Sequence, residues 1–170
     1  FVASIFVPAL VRSFQVDTIL LVDGDIFKEE NMPNTLYPSS FVSMKKEEIL
    51  ASIVSSLKND VKIHTLHKFV SAEDVFDIAQ SYDITILLVD DPMLFNTLKE
   101  MSNVESLKII DAGVSNDLGF RILWSKHFKK ISTSNTPREA LNSIKACSRA
   151  EILPAGHLVS CYLLLVLRLY

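Results

Sequence analysis

The sequence predicts an α/β protein with a doubly wound, mostly parallel sheet and helices on both faces. Apolar runs of strand length alternate along the chain with amphipathic stretches of helix length, which is the order that builds parallel sheets. Two of the apolar runs, 18–22 and 84–89, end abruptly in acidic residues. Near-continuous apolar runs indicate strands buried on both faces, and ligands of such sheets bind outside the carboxyl ends of the strands. The pattern is typical of a Rossmann-like nucleotide-binding fold.

Length and composition indicate one compact domain. The 170 residues are 49% hydrophobic and 22% charged, with a mean hydropathy of +0.28, which is apolar enough for a fully covered sheet. We therefore expect residues 1–170 to form a single nucleotide-binding domain. The net charge is −3 and the sequence contains no dense stripe of Lys and Arg, so nucleic acid is not an expected partner.

The two cysteines, Cys147 and Cys161, are not spaced as C-x-x-C. Their number and spacing argue against a disulfide scaffold and a four-cysteine zinc site, so no structural zinc is expected and a reducing cytoplasm fits. We expect Cys161 to be a core residue. The apolar run 158–167 is shorter than the roughly 20 residues that a membrane span needs. We therefore expect a buried or dimer-interface helix there and no membrane partner.

The first third of the chain predicts a helix, a strand and a long loop. Residues 4–14 form the helix, with Pro8 in its first turns, where helices tolerate proline. The strand 18–22 follows, and the loop 23–42 comes after it. This loop is long for a compact domain, and long loops are often functional.

A second helix and a second strand follow the loop. Ser43 is suited to cap a helix that ends before Asn59 and whose apolar side chains share one face. Residues 61–66 alternate apolar and polar, as a strand with one solvent-exposed face does.

The second half of the chain continues the alternation. Ser71 and Asp74 are spaced as a capping box and open a third helix. The strand 84–89 is followed by Asp91 and Pro92, which suit the N-cap and the first turn of another helix.

Two more strands and two closing helices complete the expected order. The strands are 107–111 and 120–124, and the polar, basic stretch 127–136 after them is expected to be an exposed loop. The helices are expected at about 137–147 and 153–170.

Acidic side chains end both of the apolar strands. The first strand delivers Asp23 and Asp25, and the second delivers Asp90 and Asp91. In a nucleotide-binding α/β fold, an acid at the tip of the fold's own second strand lies where a ribose hydroxyl is bound, and Asp23 is the candidate for that position. Asp-Gly-Asp is equally typical of a simple turn after a core strand, so both interpretations of the first pair are open.

The order of several motifs points to a known family. Residues 21–27 read LVDGDIF and are followed by Asn31, and Lys46 opens the next helix. This arrangement resembles the signature lvDgDxVexsN, with its following lysine, of the ThiF/MoeB superfamily, which includes the ubiquitin-activating enzymes. The later similarities cover residues 57–63, 83–91, 109–119 and 147–167.

The resemblance implies an ATP-dependent adenylyltransferase. Members of the family bind ATP and Mg²⁺ and adenylate the C-terminal carboxylate of a small ubiquitin-like or sulfur-carrier protein or of a peptide. Many then form a thioester or transfer sulfur, and family members usually pair as homodimers. For this chain, the resemblance implies these cofactors, a partner of this kind and a cytoplasmic homodimer.

The resemblance also implies a cofactor-binding set. Asp23 would hold the ribose, with Asp25 beside it, and Asn31 would lie near the phosphates. Lys46 would neutralise the triphosphate and the charge that develops on the α-phosphate, because attack by one anion on another needs a screening cation.

The catalytic set that the resemblance implies is Lys46, Asp90 and Cys147. Asp90 would bind Mg²⁺, which favours carboxylate and phosphate oxygens, and Cys147 is the candidate thiol. Each residue has a structural alternative. Lys46 lies in a charged stretch typical of a solvated helix face, Asp90 or its neighbour can cap the next helix, and Cys147 can be a small buried hydrophobe.

The chain departs from the family pattern at several positions. The family has a glycine-rich loop before its first helix, and the matching residues 1–4 contain no glycine, so we expect this loop and the first strand upstream of residue 1. Asn34 replaces an arginine, and Asp91 replaces an asparagine. A non-catalytic partner subunit or scaffold with the same fold is therefore the alternative function. A nicotinamide-dependent oxidoreductase is disfavoured, because it accounts for Asp23 but not for the other motif residues.

Overall fold

The computed structural model describes residues 2–89, 91–114, 120–130 and 152–168. Within these ranges the chain forms five α-helices and five β-strands in the predicted order. They are α1 (Val2–Ser13), β1 (Thr18–Val22), α2 (Lys46–Leu57), β2 (Lys62–Leu66), α3 (Ala72–Ser81), β3 (Thr85–Leu87), α4 (Pro92–Glu100), β4 (Ile109–Val114), β5 (Phe120–Trp124) and α5 (Ile152–Arg168). The prediction of an α/β fold is confirmed, and the bounds of β1 and β5 match the predicted strands.

The contacts within the chain fall into two compact units. The first contains Phe1–Val70 and Cys147–Tyr170, and the second contains Ser71–Ala146. The first unit carries β1 and β2 with α1, α2 and α5, and the second carries the other three strands with α3 and α4. The expectation that residues 1–170 form a single nucleotide-binding domain stays a prediction.

In the first unit, β1 and β2 form a parallel sheet. The register runs from Thr18 opposite Lys62 to Val22 opposite Leu66. One residue further on, the N–H of Asp23 donates to the carbonyl of Leu66 at 3.3 Å. Because the strands are parallel and joined through α2, both carboxyl ends lie at one edge of the sheet. The first acidic strand end therefore opens at the edge where α/β proteins bind ligands.

The helices α1 and α5 of the first unit pack against each other. α1 contains Pro8 and buries Phe6 and Val11, while α5 buries Val159 and Leu163. These apolar side chains recur at helical spacing, and their burial supplies most of the free energy that holds the helices together.

The outer side of α5 is apolar but exposed. Leu158, Tyr162 and Leu165 are exposed there, and so is Cys161. The prediction that Cys161 is a core residue is wrong, because its helical position groups it with these outer residues and not with the buried ones. The helix is buried on one side, and its use as a dimer interface stays a prediction. No helix within the described ranges is long and apolar enough to span a membrane.

The chain entering α2 pairs with the segment that follows β1. Ile26 pairs with Lys45 in an antiparallel bridge, and the N–H of Ser43 donates to the carbonyl of Phe27 at 2.8 Å. Ser43 has a positive φ of 74° and lies outside the helix, whose N-cap residue is Lys45. The prediction that Ser43 caps this helix is wrong, because long-range backbone pairing fixes the chain there before the helix begins.

In the second unit, β3 pairs in parallel with β4, and β4 pairs antiparallel with β5. The predicted capping box is confirmed: the N–H of Asp74 donates to the Ser71 hydroxyl at 3.2 Å, and the N–H of Ser71 donates to the Asp74 carboxylate at 2.9 Å. The predicted cap of α4 is confirmed too, since Asp91 accepts the N–H of Met93 at 2.9 Å. Local side-chain chemistry therefore fixes where both helices begin.

The predicted exposed loop at 127–136 is wrong for its first residues. A short 3₁₀ helix, Ser125–Lys130, occupies them, and the Phe128 side chain is fully buried with its ring centroid 5.0 Å from that of Phe95. The polar neighbours of this phenylalanine conceal its role in the core. The predicted helix at 137–147 lies outside the described residues.

Candidate functional site

The candidate site begins at the carboxyl end of β1. The Asp23 carboxylate accepts through Oδ1 the N–H of Asp25, two residues further along the chain, at 2.8 Å. Such a turn is a common structural use of aspartate after a strand. Here it also fixes the direction of the carboxylate, so the turn and the ribose-binding interpretations are compatible.

The environment of Asp23 disfavours its charged form. Burial raises the pKa of the Asp23 carboxyl above its ordinary value of 3.8, and the repulsion by Asp25 acts in the same direction. The hydrogen bond from the N–H of Asp25 and the charge of Lys46 lower the pKa part of the way back. A desolvated acid at a strand end is costly to keep, and such groups concentrate at functional sites.

Lys46 turns towards this carboxyl end and away from solvent. Its Nζ lies 2.7 Å from Oδ2 of Asp25, and its side chain is only 18% exposed. The neighbouring Lys45 is 44% exposed and pairs with Glu48 at 3.0 Å on the outside of α2. Lys45 is therefore solvated, whereas Lys46 is largely shielded from solvent. The N–H of Lys46 also donates to the carbonyl of Asp25 at 3.1 Å, which fixes the start of α2 to this turn.

A small cleft brings the predicted residues of the first unit together. Its walls come from the first turn of α1, the end of β1, the loop that follows and the start of α2. The side chains and backbone that line it belong to Ala3, Ser4, Asp23, Asn31, Thr35, Tyr37 and Lys46.

Some polar groups of the loop after β1 form hydrogen bonds within that loop, and others do not. The carboxamide oxygen of Asn31 accepts the N–H of Lys28 at 3.1 Å and so holds a 3₁₀ helix, Glu29–Asn34. The hydroxyl oxygen of Thr35 is buried and has no hydrogen-bond partner within the described part of the chain. A buried hydroxyl without a partner costs free energy, so this atom is available to a bound group.

Tyr37 gives the cleft a neutral polar wall. Its ring packs edge-on against Phe27, with the ring centroids 5.4 Å apart. Burial, together with the negative charges of Asp23 and Glu47, raises the pKa of the Tyr37 hydroxyl well above its ordinary value. The hydroxyl stays protonated at any physiological pH and can act as a hydrogen-bond donor.

A second polar cluster, Glu47 and His67, contacts the backbone at the end of β1. Glu47 is 2% exposed, and its Oε1 lies 3.1 Å from Nδ1 of His67, while its Oε2 is buried without a hydrogen-bond partner among the described residues. The same Nδ1 lies 3.1 Å from the carbonyl oxygen of Asp23. Because a carbonyl oxygen only accepts, we assign the proton to Nδ1, which donates to both oxygens.

The backbone after β2 crosses directly over the Asp23–Asp25 turn. A Cβ atom on Gly24 would lie 2.6 Å from the ring of Phe69 and 2.7 Å from its backbone nitrogen. Only glycine fits this approach, because real Cβ atoms do not come so close to backbone. Gly24 is therefore required by a tertiary contact and not by a left-handed backbone conformation.

These groups fit a nucleotide better than a bare divalent metal. The Asp23 carboxylate accepts hydrogen bonds as ribose hydroxyls require, and Lys46 supplies the cation that phosphate oxygens require. Thr35, whose hydroxyl is buried, lines the same cleft. Within the described residues no group of three His, Cys, Asp or Glu side chains could hold a metal ion. Mg²⁺ is normally held by few carboxylates together with phosphate oxygens.

Four of the six residues predicted from the sequence lie around this cleft. Asp23, Asn31 and Lys46 line it, and Asp25 contacts Lys46. The remaining two, at positions 90 and 147, lie outside the described residues.

Sequence reasoning missed Thr35, Tyr37 and the buried Glu47. The charged residues around Glu47 are typical of a solvated helix face, which is the structural alternative for Lys46. A signal was present, because Glu47 shares the i, i+3, i+7 spacing with Leu50 and Val54, both buried on α2. Nothing in the local sequence marks the loop residues Thr35 and Tyr37.

Comparison with known families identifies the class of protein. The chain belongs to the ThiF family, whose model matches residues 9–165. This confirms the resemblance drawn from the motifs. A search of curated protein sequences found no match.

Solved structures of MccB share the fold. Escherichia coli MccB superposes with a TM-score of 0.68 at 16% identity, covering 94% of this chain and 49% of MccB. E. coli MccB with ATP gives 0.66 at 17% identity, covering 94% and 49%. The microcin C7 biosynthetic enzyme MccB in complex with N-formylated MccA gives 0.71 at 17% identity, covering 94% and 51%. The chain thus spans about half the length of these proteins and has their Rossmann-like fold.

We predict that Gly24→Ala destabilises the protein because the new methyl group meets the Phe69 ring and backbone. Overpacking of this kind costs about 1–3 kcal/mol in the free energy of unfolding. Gly113→Ala is the matched control: a Cβ there has no neighbour within 4 Å, so the variant is neutral or up to about 1 kcal/mol more stable. Urea unfolding measures both, and equal stability of the two variants would contradict the crossing of the chain at Gly24.

We predict that Asp23→Asn changes how stability depends on pH. The pKa of Asp23 is raised in the fold, so the folded state binds the proton more tightly than the unfolded chain and loses stability as pH rises from 3.8 through the higher folded pKa. The asparagine removes this loss and can still accept the N–H of Asp25. Urea unfolding across this range measures the difference, and the variant gains on the wild type as pH rises. A difference that moves the other way would show that the fold stabilises the charged form.

Proposed function

We propose that the protein is an ATP-dependent adenylyltransferase that activates the C-terminal carboxylate of a peptide or of a small ubiquitin-like or sulfur-carrier protein. The observation that carries the proposal is the sheltered position of Lys46 in the cleft that also contains Asp23. The neighbouring Lys45 stays in solvent and pairs with Glu48, whereas Lys46 lies in the cleft with its ammonium group beside Asp25. Membership of the ThiF family supports the same class of chemistry.

In this proposal, different cleft residues bind different parts of the nucleotide. The Asp23 carboxylate binds the ribose hydroxyls, and the loop with Asn31 and Thr35 lies beside the phosphates. Lys46 turns from Asp25 to the phosphate oxygens, because the Asp25 side chain is 53% exposed and can be resolvated when it releases the cation. Because solvent reaches the Asp25 side of this ion pair, the pair holds Lys46 less firmly than a fully buried pair would.

The reaction joins two anions, and this sets what the protein has to supply. A carboxylate oxygen of the partner attacks the α-phosphate, an O–P bond forms, and the bond to the pyrophosphate leaving group breaks. The charge of Lys46 screens the repulsion and stabilises the charge that develops on the α-phosphate. Mg²⁺ held by Asp90 and the phosphate oxygens would stabilise the leaving pyrophosphate.

The partner and the later steps extend this proposal. The MccB structures, one with ATP and others with MccA, support a site that takes a nucleotide and a second molecule. In the proposal, the Cys147 thiolate attacks the carbonyl carbon of the acyl adenylate, a thioester S–C bond forms, and the bond to AMP breaks, so AMP leaves. The protein works as a cytoplasmic homodimer.

A non-catalytic partner subunit is the second candidate, and one observation favours it. Asn34, which stands where the resemblance expects an arginine near the phosphates, is fully buried. A buried, uncharged side chain makes no ionic contact with phosphate, so the site has one cation fewer than the family pattern. The experiments below separate a weakened enzyme from a protein that has lost the nucleotide.

We predict that the full-length protein binds ATP with Mg²⁺ and that Lys46→Met weakens binding by about 10- to 100-fold, as expected for the loss of one charge-assisted hydrogen bond. Lys45→Met is the matched control and leaves the affinity unchanged, because Lys45 pairs with Glu48 on the outside of α2. Calorimetry measures all three proteins. Failure of the folded wild type to bind ATP would contradict the proposal and favour the non-catalytic partner.

We predict that Asp90→Ala abolishes Mg²⁺-dependent release of pyrophosphate from ATP and leaves the fold intact. Asp91→Asn is the control, because an asparagine retains the cap of α4 and leaves the proposed metal ligand in place. Pyrophosphate release is measured by an enzyme-coupled assay, and thermal unfolding checks the fold. Unchanged turnover in Asp90→Ala would remove this residue from the mechanism.

A further inference from the structure

Phe69 is exposed to solvent and lies against Gly24, at the edge of the candidate site. Its side chain is 74% exposed, more than any other large hydrophobic side chain that the structure describes. Soluble proteins tolerate single exposed apolar residues, so exposure alone means little. The informative feature is how firmly the segment after β2, which carries Phe69, is fixed.

Two independent contacts fix the segment after β2 in place. The Phe69 ring and backbone lie against Gly24, where no Cβ fits. Two residues earlier, His67 donates from Nδ1 to the carbonyl oxygen of Asp23 and to the buried carboxylate of Glu47, at 3.1 Å each. Glu47 lies on α2, so the segment is tied to the end of β1 and to the helix that carries Lys46.

The ring lies beside Gly24, the residue that follows Asp23, whose carboxylate the proposed function gives to the ribose. Phe69 contacts Gly24, the residue directly after Asp23, so the aromatic surface and the carboxylate are one residue apart along the same turn. The base of a nucleotide is joined to its ribose. A molecule whose ribose binds at Asp23 therefore carries its base to the neighbourhood of this ring.

We propose that Phe69 is the surface on which the base of the bound nucleotide stacks. This rests on the proposed function and deepens it, because it adds the base-binding residue to the ribose and phosphate groups. Stacking between a base and an aromatic side chain contributes about as much as a good hydrogen bond, and every base has a π-face to offer. The Gly24 and His67 contacts position the ring before the ligand arrives, so little entropy is lost when the base binds.

The test compares ATP affinity among substitutions of Phe69 in the full-length protein. Phe69→Leu removes the aromatic face and weakens ATP binding by about 5- to 150-fold, as the loss of one base stack does. Phe69→Tyr retains the face and binds ATP within about twofold of the wild type, since the ring that stacks is unchanged. Tyr162→Leu is the control, because it removes another aromatic ring from a residue that is 49% exposed and that belongs to α5 and not to the segment after β2.

Two further readouts separate stacking from an effect on folding. Stacking lowers the intensity of the adenine absorption band, so the band weakens when ATP binds the wild type and Phe69→Tyr but not when it binds Phe69→Leu. Thermal unfolding of the free proteins is expected to be unchanged, because the side chain is mostly exposed.

Each other outcome overturns the proposal. Equal ATP affinity of Phe69→Leu and the wild type would show that the ring is not part of the nucleotide site, even with adenylation intact. Loss of affinity in Phe69→Tyr as well as Phe69→Leu would show that shape and not stacking matters. No ATP binding by the wild type would overturn this proposal together with the proposed function, whereas ATP binding that is lost in Lys46→Met but kept in Phe69→Leu would overturn this one alone.

Discussion

The desolvated carboxylate of Asp23 is the constraint on which the candidate site depends. A carboxyl group in this position resists ionisation, and the fold offsets that with the N–H of Asp25 and the nearby charge of Lys46. The same groups determine the path of the chain, since the N–H of Asp25 makes the turn after β1 and the ion pair of Lys46 with Asp25 ties that turn to α2. A strand end that only had to turn the chain could do so with an exposed side chain. Keeping the acid here is more readily explained by binding than by stability.

The start of α2 connects three environments through three successive residues. The N-cap residue Lys45 points to solvent. Because side chains advance by about 100° per residue around a helix, Lys46 points to the cleft and Glu47 to the interior. Lys46 holds the turn after β1, and Glu47 holds the segment after β2 through His67. The helix therefore aligns the loops that follow both strands of the parallel sheet.

Much of the fold and part of the site could be predicted from the sequence, for identifiable reasons. The ends of β1 and the caps of α3 and α4 follow from local patterns, and Asp23 and Lys46, which the family motif singles out, line one cleft in the structure. The only sequence signal for the burial of Glu47 is its helical spacing with Leu50 and Val54, and the charged residues around it conceal that signal. The positions of Ser43 and Phe69 depend on contacts between segments far apart in the chain, namely pairing with Phe27 and packing on Gly24. Such contacts leave no local signal.

The measurement that tests the central claim most directly is an amide NMR titration of the full-length protein with ATP and Mg²⁺. If the carboxyl edge of β1 and β2 binds the nucleotide, the largest shifts occur at Asp23, Lys46 and Phe69, which lie on three different segments of the first unit. The second unit has an open groove of its own, lined in part by Tyr82 and Lys108. Shifts confined to that groove, with the edge of the first unit unchanged, would contradict the account.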